Sequence, residues 1–157
     1  MDVSYHKDER NVYQTIREVI AASPQHVFSY LGTEGISQWF EELSFSETES
    51  GKKLIFDLGD GTFEEMEVLV YEMPGRIGFT WDVGEVYFTL EPADNETELK
   101  LEQRLPFEFG HIAQDFTGWQ FQVKNLKHIS ETGQQATFDD EAFKEQMRMT
   151  SETLELD

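Results

Sequence analysis

Residues 109–129 decide the fold of this chain, and they read FGHIAQDFTGWQFQVKNLKHI. Apolar residues recur here at intervals of three and four positions: Phe109, Ile112, Phe116, Trp119, Val123 and Leu126. This spacing follows the turn of an α-helix and places all six on one face, over about five turns. The stretch therefore predicts a long helix whose apolar face packs against the rest of the chain. We expect Phe121, which lies off that face, at the surface.

The part of the chain before this helix predicts an antiparallel sheet. Between Leu43 and Leu105, short segments alternate apolar and polar residues, and tight-turn signals at residues 59–61 (Gly-Asp-Gly) and 74–75 (Pro-Gly) separate them. Such segments are typical of an antiparallel meander with one buried face. No helical pattern lies between them, which excludes a parallel Rossmann-type sheet.

The start of the chain adds a strand and two short helices. Residues 12–20 are rich in β-branched side chains and predict the first strand. Ser23-Pro24 is a typical helix start, and Thr33 follows as the cap of a shorter helix. We therefore predict an α+β domain over residues 12–131, after an N-terminal extension at 1–11. Residues 132–157 form an acidic C-terminal tail with a short helix at 139–149.

Composition excludes several classes of function. The chain has 157 residues, which is enough for one domain with a real core, and a net charge of -20 from 32 acidic and 12 basic residues. Binding to nucleic acid or to anionic membranes requires basic clusters, which the sequence lacks. There is no cysteine, so disulfides and thiolate chemistry are excluded. No signal peptide or membrane-spanning segment is evident, so we expect no membrane insertion and a cytoplasmic protein.

No catalytic or metal-binding signature is present. The sequence contains neither a Gly-x-Ser-x-Gly elbow nor a phosphate-binding glycine loop. His111 and Asp115 are four residues apart and could share a helix face, but two residues are too few for a metal site. We therefore predict no catalytic residue, no metal and no cofactor.

The order of the elements resembles that of the START-like, helix-grip superfamily, which is also called SRPBCC or Bet v-like. Within it, the chain is most similar to proteins related to the activator of Hsp-90 ATPase, through Ser23-Pro24, Trp39-Phe40 and the segment Asp-Phe-Thr-Gly-Trp at 115–119. The resemblance covers residues 12–130, and the tail from Gly133 lies outside it. It implies a curved antiparallel sheet wrapped around the long C-terminal helix. It also implies a cavity between them that often holds a lipid, a sterol or an aromatic compound; some relatives are enzymes, and one branch stimulates a chaperone ATPase.

Candidate cavity residues come from the helix face, the facing strands and the Trp39-Phe40 pair. They are Trp39, Phe40, Phe56, Met66, Phe79, Trp81, Phe88, Leu101, Gln103, Ile112, Phe116, Trp119 and Val123. Taken singly, each aromatic residue is more often a plain core residue. Gln103 interrupts an apolar strand face, where a buried amide must be hydrogen-bonded, and we favour the alternative that this strand end is exposed. Further polar candidates for orienting a ligand are Tyr71, Arg76, Tyr87 and Arg104.

Three hypotheses about function remain. The first is non-catalytic binding of a small hydrophobic ligand, either lipid-like or aromatic. The second is a protein-interaction module that meets a partner with a basic surface, in a co-chaperone or stress-response role; the sequence shows no second upstream domain, which the activator has, so this ranks lower. The third is an enzyme that uses the cavity. It would need a buried polar group with a perturbed pKa, and the sequence shows no obvious one.

Overall fold

A computed structural model describes residues 1–155 of the chain. It contains eight strands and three α-helices: β1 (Asp2–Lys7), β2 (Asn11–Ile20), α1 (Pro24–Leu31), β3 (Leu43–Thr48), β4 (Gly51–Asp57), β5 (Phe63–Glu72), β6 (Arg76–Trp81), β7 (Gly84–Ala93), β8 (Glu96–Pro106), α2 (Ile112–Thr132) and α3 (Asp140–Leu154). Two short 3-10 helices are also present, at Glu34–Gln38 and Phe107–Phe109. The strands form one antiparallel sheet in the order β1-β2-β8-β7-β6-β5-β4-β3.

The predicted helix-grip fold is confirmed. From β3 to β8 the chain forms a meander, and β2 extends the sheet by pairing with β8. The helix α2 packs across one face of this sheet, where Trp119 contacts aromatic rings of β6 and β7. The first helix begins as its sequence predicts: Ser23 accepts a hydrogen bond from the backbone N–H of His26, and Pro24 is its first residue.

The long helix starts later than its apolar stripe suggested. Phe109, the first residue of the stripe, lies in a 3-10 helix and not in α2. Gly110 follows with φ of 85°, a left-handed conformation that interrupts the helix before Ile112. Phe121 is half-buried and not at the surface, because Phe143 of α3 packs against it with ring centroids 5.2 Å apart.

Both ends of the chain contain more structure than their sequence indicated. Residues 2–7 form a strand at the edge of the main sheet, paired along its length with β2. The C-terminal helix runs to Leu154, beyond the predicted end at 149, and packs against α2. Its Leu154 is 1% exposed, in a small core cluster with Val12 and Leu105. Residues 151–154 lie beyond the predicted helix and still belong to α3, and residues 156–157 lie outside the described part of the chain.

Among residues 1–155, no helix is long and apolar enough to cross a membrane.

Candidate functional site

A cluster of aromatic side chains fills the space between α2 and the sheet. Trp119 lies at its centre, only 2% exposed. The Trp119 ring contacts Trp81 at 5.0 Å, Phe40 at 5.6 Å, Phe88 at 5.8 Å and Phe79 at 6.2 Å, measured between ring centroids. Two of these pairs, those with Trp81 and Phe88, meet edge to face, a geometry that aromatic quadrupoles favour. Most of the interior of the grip is therefore packed with protein.

At the edge of this cluster a cleft of about 320 Å³ remains, which we call the aromatic cleft. It lies where the first half of α2, the end of β6 and α3 meet. Its lining residues are Phe40, Phe56, Trp81, Phe109, His111, Gln114, Asp115, Gly118, Trp119, Gln122 and Phe143. Phe143 comes from α3, so the C-terminal helix contributes to the cleft.

The predicted cavity residues divide between the cleft and the core. Four of them line the aromatic cleft: Phe40, Phe56, Trp81 and Trp119. A second group is buried in the main core behind the cleft: Met66, Phe79, Phe88, Leu101 and Val123. Ile112 and Phe116 belong to the smaller core cluster that also holds Leu154. Trp39 lines a neighbouring groove of about 440 Å³, beside Phe121 and Phe138. Contact of any of these residues with a ligand stays a prediction.

Gln103 is buried, and the expectation of an exposed strand end was wrong. Its side chain is 2% exposed because residue 103 lies on the face of β8 that α2 covers. Both ends of the amide are hydrogen-bonded: Nε2 donates to Oδ2 of Asp115 at 2.6 Å, and Oε1 accepts from Nε2 of Gln14 at 3.1 Å. Gln103 therefore positions Asp115 from behind and does not line the cleft itself.

Asp115 is the site residue that sequence reasoning missed. One carboxylate oxygen, Oδ1, accepts a hydrogen bond from the indole Nε1 of Trp81 at 3.0 Å, and the other is held by Gln103. Burial raises the pKa of Asp115, and these two hydrogen bonds partly oppose that increase. The sequence held a usable signal, since residue 115 follows Ile112 by three positions and precedes Trp119 by four. That spacing puts the carboxylate on the apolar face of the helix.

Asp115 ends a chain of buried amides that crosses the core. Gln120 donates from Nε2 to Oε1 of Gln14 at 2.7 Å, and Gln146 of α3 donates to Oε1 of Gln120 at 3.0 Å. Together with the bond between Gln14 and Gln103, this connects the cleft to the C-terminal helix. The other predicted polar candidates, Tyr71, Arg76, Tyr87 and Arg104, do not line the cleft.

Two buried polar atoms of cleft residues have no hydrogen-bond partner within the described residues. They are the donor Nε1 of Trp119 and the acceptor Oε1 of Gln122. Leaving such a group unpaired costs on the order of 1–3 kcal/mol. Both atoms are closed to solvent, so a bound molecule could pair with them only after a rotation of the Trp119 or Gln122 side chain.

Comparison with known proteins agrees with this architecture. The conserved protein EF2215 of Enterococcus faecalis, whose function is unknown, is 31% identical, with a TM-score of 0.87 over 98% of this chain and 90% of its own. CalU16 of Micromonospora echinospora is 19% identical, with a TM-score of 0.70 over 97% and 92%. DynU16, from the dynemicin biosynthetic locus, is 25% identical, with a TM-score of 0.64 over 81% of this chain and 50% of its own. No curated protein matches the chain.

A family model described as Activator of Hsp90 ATPase homolog 1-like protein matches residues 21–153. The match continues through α3, so the segment after Gly133 lies within the family pattern, contrary to our expectation from sequence. Because the model covers well over half of the sequence, the chain belongs to the Activator of Hsp90 ATPase homolog 1-like family, with the helix-grip fold.

Proposed function

We propose that this protein binds a small, largely aromatic molecule in the aromatic cleft, and that it does so without transforming it. The observation that carries the proposal is the pairing of aromatic walls with two buried polar atoms that lack partners, Nε1 of Trp119 and Oε1 of Gln122. Small-molecule sites are typically apolar clefts in which a few polar groups fix the orientation of the ligand.

The size of the cleft restricts the ligand. Its volume of about 320 Å³ is near the lower end of the usual range for ligand sites, about 300–1,000 Å³. A compound with two or three fused rings is a better match for this space than a long-chain lipid. The relation to DynU16, from a biosynthetic locus, supports a role beside small-molecule chemistry.

Asp115 is the one feature that favours an enzyme, because burial raises its pKa. However, both of its oxygens already accept hydrogen bonds from Trp81 and Gln103. The described lining residues include no Ser, Thr, Cys or Lys that could serve as a nucleophile beside it. Binding therefore explains the cleft with fewer assumptions than catalysis.

The three indole N–H groups provide an internal test by NMR. Trp119 and Trp81 line the cleft, whereas Nε1 of Trp39 donates to the carbonyl of Tyr30 at 2.7 Å outside it. Titration with flat aromatic compounds should shift the indole signals of Trp81 and Trp119 and leave that of Trp39 nearly unchanged. If no compound in a panel of two- and three-ring aromatics moves the first two signals, the proposal is wrong.

A second candidate is a protein-interaction function, as the family description suggests. The specific observation is an aromatic cluster of Phe121, Phe138 and Phe143, in which Phe138 is 61% exposed. The net charge of -20 would favour a partner with a basic surface. The direct test is ATP turnover by an Hsp90 with and without this protein, with Phe138→Ser as the matched variant. No stimulation, or equal stimulation by both forms, would remove this candidate.

A further inference from the structure

The described lining of the aromatic cleft contains an acidic side chain and no lysine or arginine. Asp115 is the one acidic residue among the described lining residues. The chain as a whole carries a net charge of -20, which adds a field that attracts cations and repels anions. We propose that the ligand of the cleft is a protonated amine attached to an aromatic body, an inference that rests on the binding function proposed above.

The aromatic walls are suited to a cation. Six aromatic side chains line the cleft: Phe40, Phe56, Trp81, Phe109, Trp119 and Phe143. The face of an aromatic ring carries partial negative charge, so it attracts an ammonium group within about 6 Å, most strongly where water is excluded. The same walls accept the apolar body of the ligand, which provides the hydrophobic part of the affinity.

The polar atoms of the cleft point to the same chemistry. Oε1 of Gln122 is a buried acceptor without a partner, and an ammonium N–H is a donor that would satisfy it once the side chain rotates toward the cleft. Each carboxylate oxygen of Asp115 accepts one protein hydrogen bond and keeps capacity for another. Nε1 of Trp119 is left to donate to an oxygen on the ligand body.

An anionic ligand fits poorly. A carboxylate or phosphate in the cleft would lie close to Asp115, with no Lys or Arg among the described lining residues to offset the repulsion. This separates the proposal from fatty acids and other anionic lipids. A neutral aromatic alcohol has the same shape as the corresponding amine and serves as the reference compound.

The test compares three naphthalene probes that differ in one group: 2-naphthylmethylamine, 2-naphthalenemethanol and 2-naphthoate. Affinities are measured by calorimetry at about pH 8 for all three probes. We expect the amine to bind about tenfold more tightly than the alcohol, and the acid most weakly. The preference should persist in about 0.5 M salt, because a partly buried carboxylate is screened less than the surface charge.

Two variants assign the preference to the cleft. Asp115→Asn should reduce the advantage of the amine over the alcohol about tenfold. Glu72→Gln is the matched control and should leave the affinities for the amine and the alcohol unchanged. It removes an exposed carboxylate of β5 that pairs with the start of β6, whereas Trp81 lies at the end of β6. If Asp115→Asn does not fold, Gln122→Met takes its place and should also reduce the advantage of the amine, since it removes an acceptor that has no protein partner.

The outcomes separate the two proposals. Equal binding of amine and alcohol, tighter binding of the acid, or an unchanged preference in Asp115→Asn would overturn the cationic ligand and leave the binding function standing. Failure of all three probes to bind or to shift the indole signals of Trp81 and Trp119 would count against both.

Discussion

The indole Nε1 of Trp81 donates a 3.0 Å hydrogen bond to Oδ1 of Asp115, and this bond joins the end of β6 to the first turn of α2. Asp115 also accepts from Gln103 of β8, so three separate elements meet at one carboxylate. The same carboxylate lines the aromatic cleft. Changes in its charge should therefore affect both ligand binding and the stability of the fold.

The first prediction concerns pH. Burial raises the pKa of Asp115 in the folded chain, so the folded state holds this proton more tightly than the unfolded state. The resulting stabilisation is fully present below the ordinary aspartate pKa of about 3.9 and is lost as the pH rises through the raised value. Urea unfolding should be measured for the wild type and for Asp115→Asn across that pH range. As the pH rises, the unfolding free energy of the wild type should fall relative to that of Asp115→Asn. A difference that is constant or moves the other way would contradict the assignment.

The second prediction compares two buried tryptophans. Trp39 and Trp119 are each 2% exposed, but only Trp39 has a hydrogen-bond partner for its indole nitrogen, the carbonyl of Tyr30. Substitution by Phe removes similar volume at both positions. Trp39→Phe should therefore cost about 1 kcal/mol more than Trp119→Phe in urea unfolding, because a made hydrogen bond is lost. Equal costs would show that the indole of Trp119 is satisfied in solution.

The third prediction concerns Gln103. Replacing it with Leu leaves Oδ2 of Asp115 without its donor and takes away one acceptor of Gln14. We expect a loss of roughly 1–3 kcal/mol in unfolding free energy near neutral pH. Gln114→Leu makes the same change at an exposed position and should stay within about 0.5 kcal/mol of the wild type. Combining Gln103→Leu with Asp115→Asn should cost less than the sum of the two, since the substitutions disrupt one shared interaction.

The fourth prediction tests whether α3 is part of the domain. Leu154 is 1% exposed and packs with residues of β2, β8 and α2, whereas Met149 of the same helix is 47% exposed. Leu154→Ala should lower the unfolding free energy by about 2–5 kcal/mol in a single cooperative transition. Met149→Ala should change it by less than about 0.5 kcal/mol. If Leu154→Ala behaves like its control, α3 is docked only weakly in solution.

The elements that sequence identified are those whose pattern is local and strong. Examples are the apolar stripe from Ile112 to Leu126 and the alternation of apolar and polar residues along β8. The Ser23-Pro24 start of α1 is likewise visible within a few residues. The elements that it missed lack such a pattern. The strand β1 is an edge strand of mixed polar residues, largely exposed, and only its pairing with β2 makes it a strand.

The sequence by itself determined the class of fold, because the spacing of hydrophobic residues identifies the strands and the long helix. Such elements can pack around one core in only a few ways. The tertiary structure alone decided the site. Trp81, Gln103 and Asp115 lie on three elements, and the hydrogen-bonded positions are 34 apart in sequence for 81 and 115 and 12 apart for 103 and 115. Hydrogen bonding and burial depend on which side chains the folded chain brings within about 3 Å of each other. Local sequence patterns do not predict these long-range contacts.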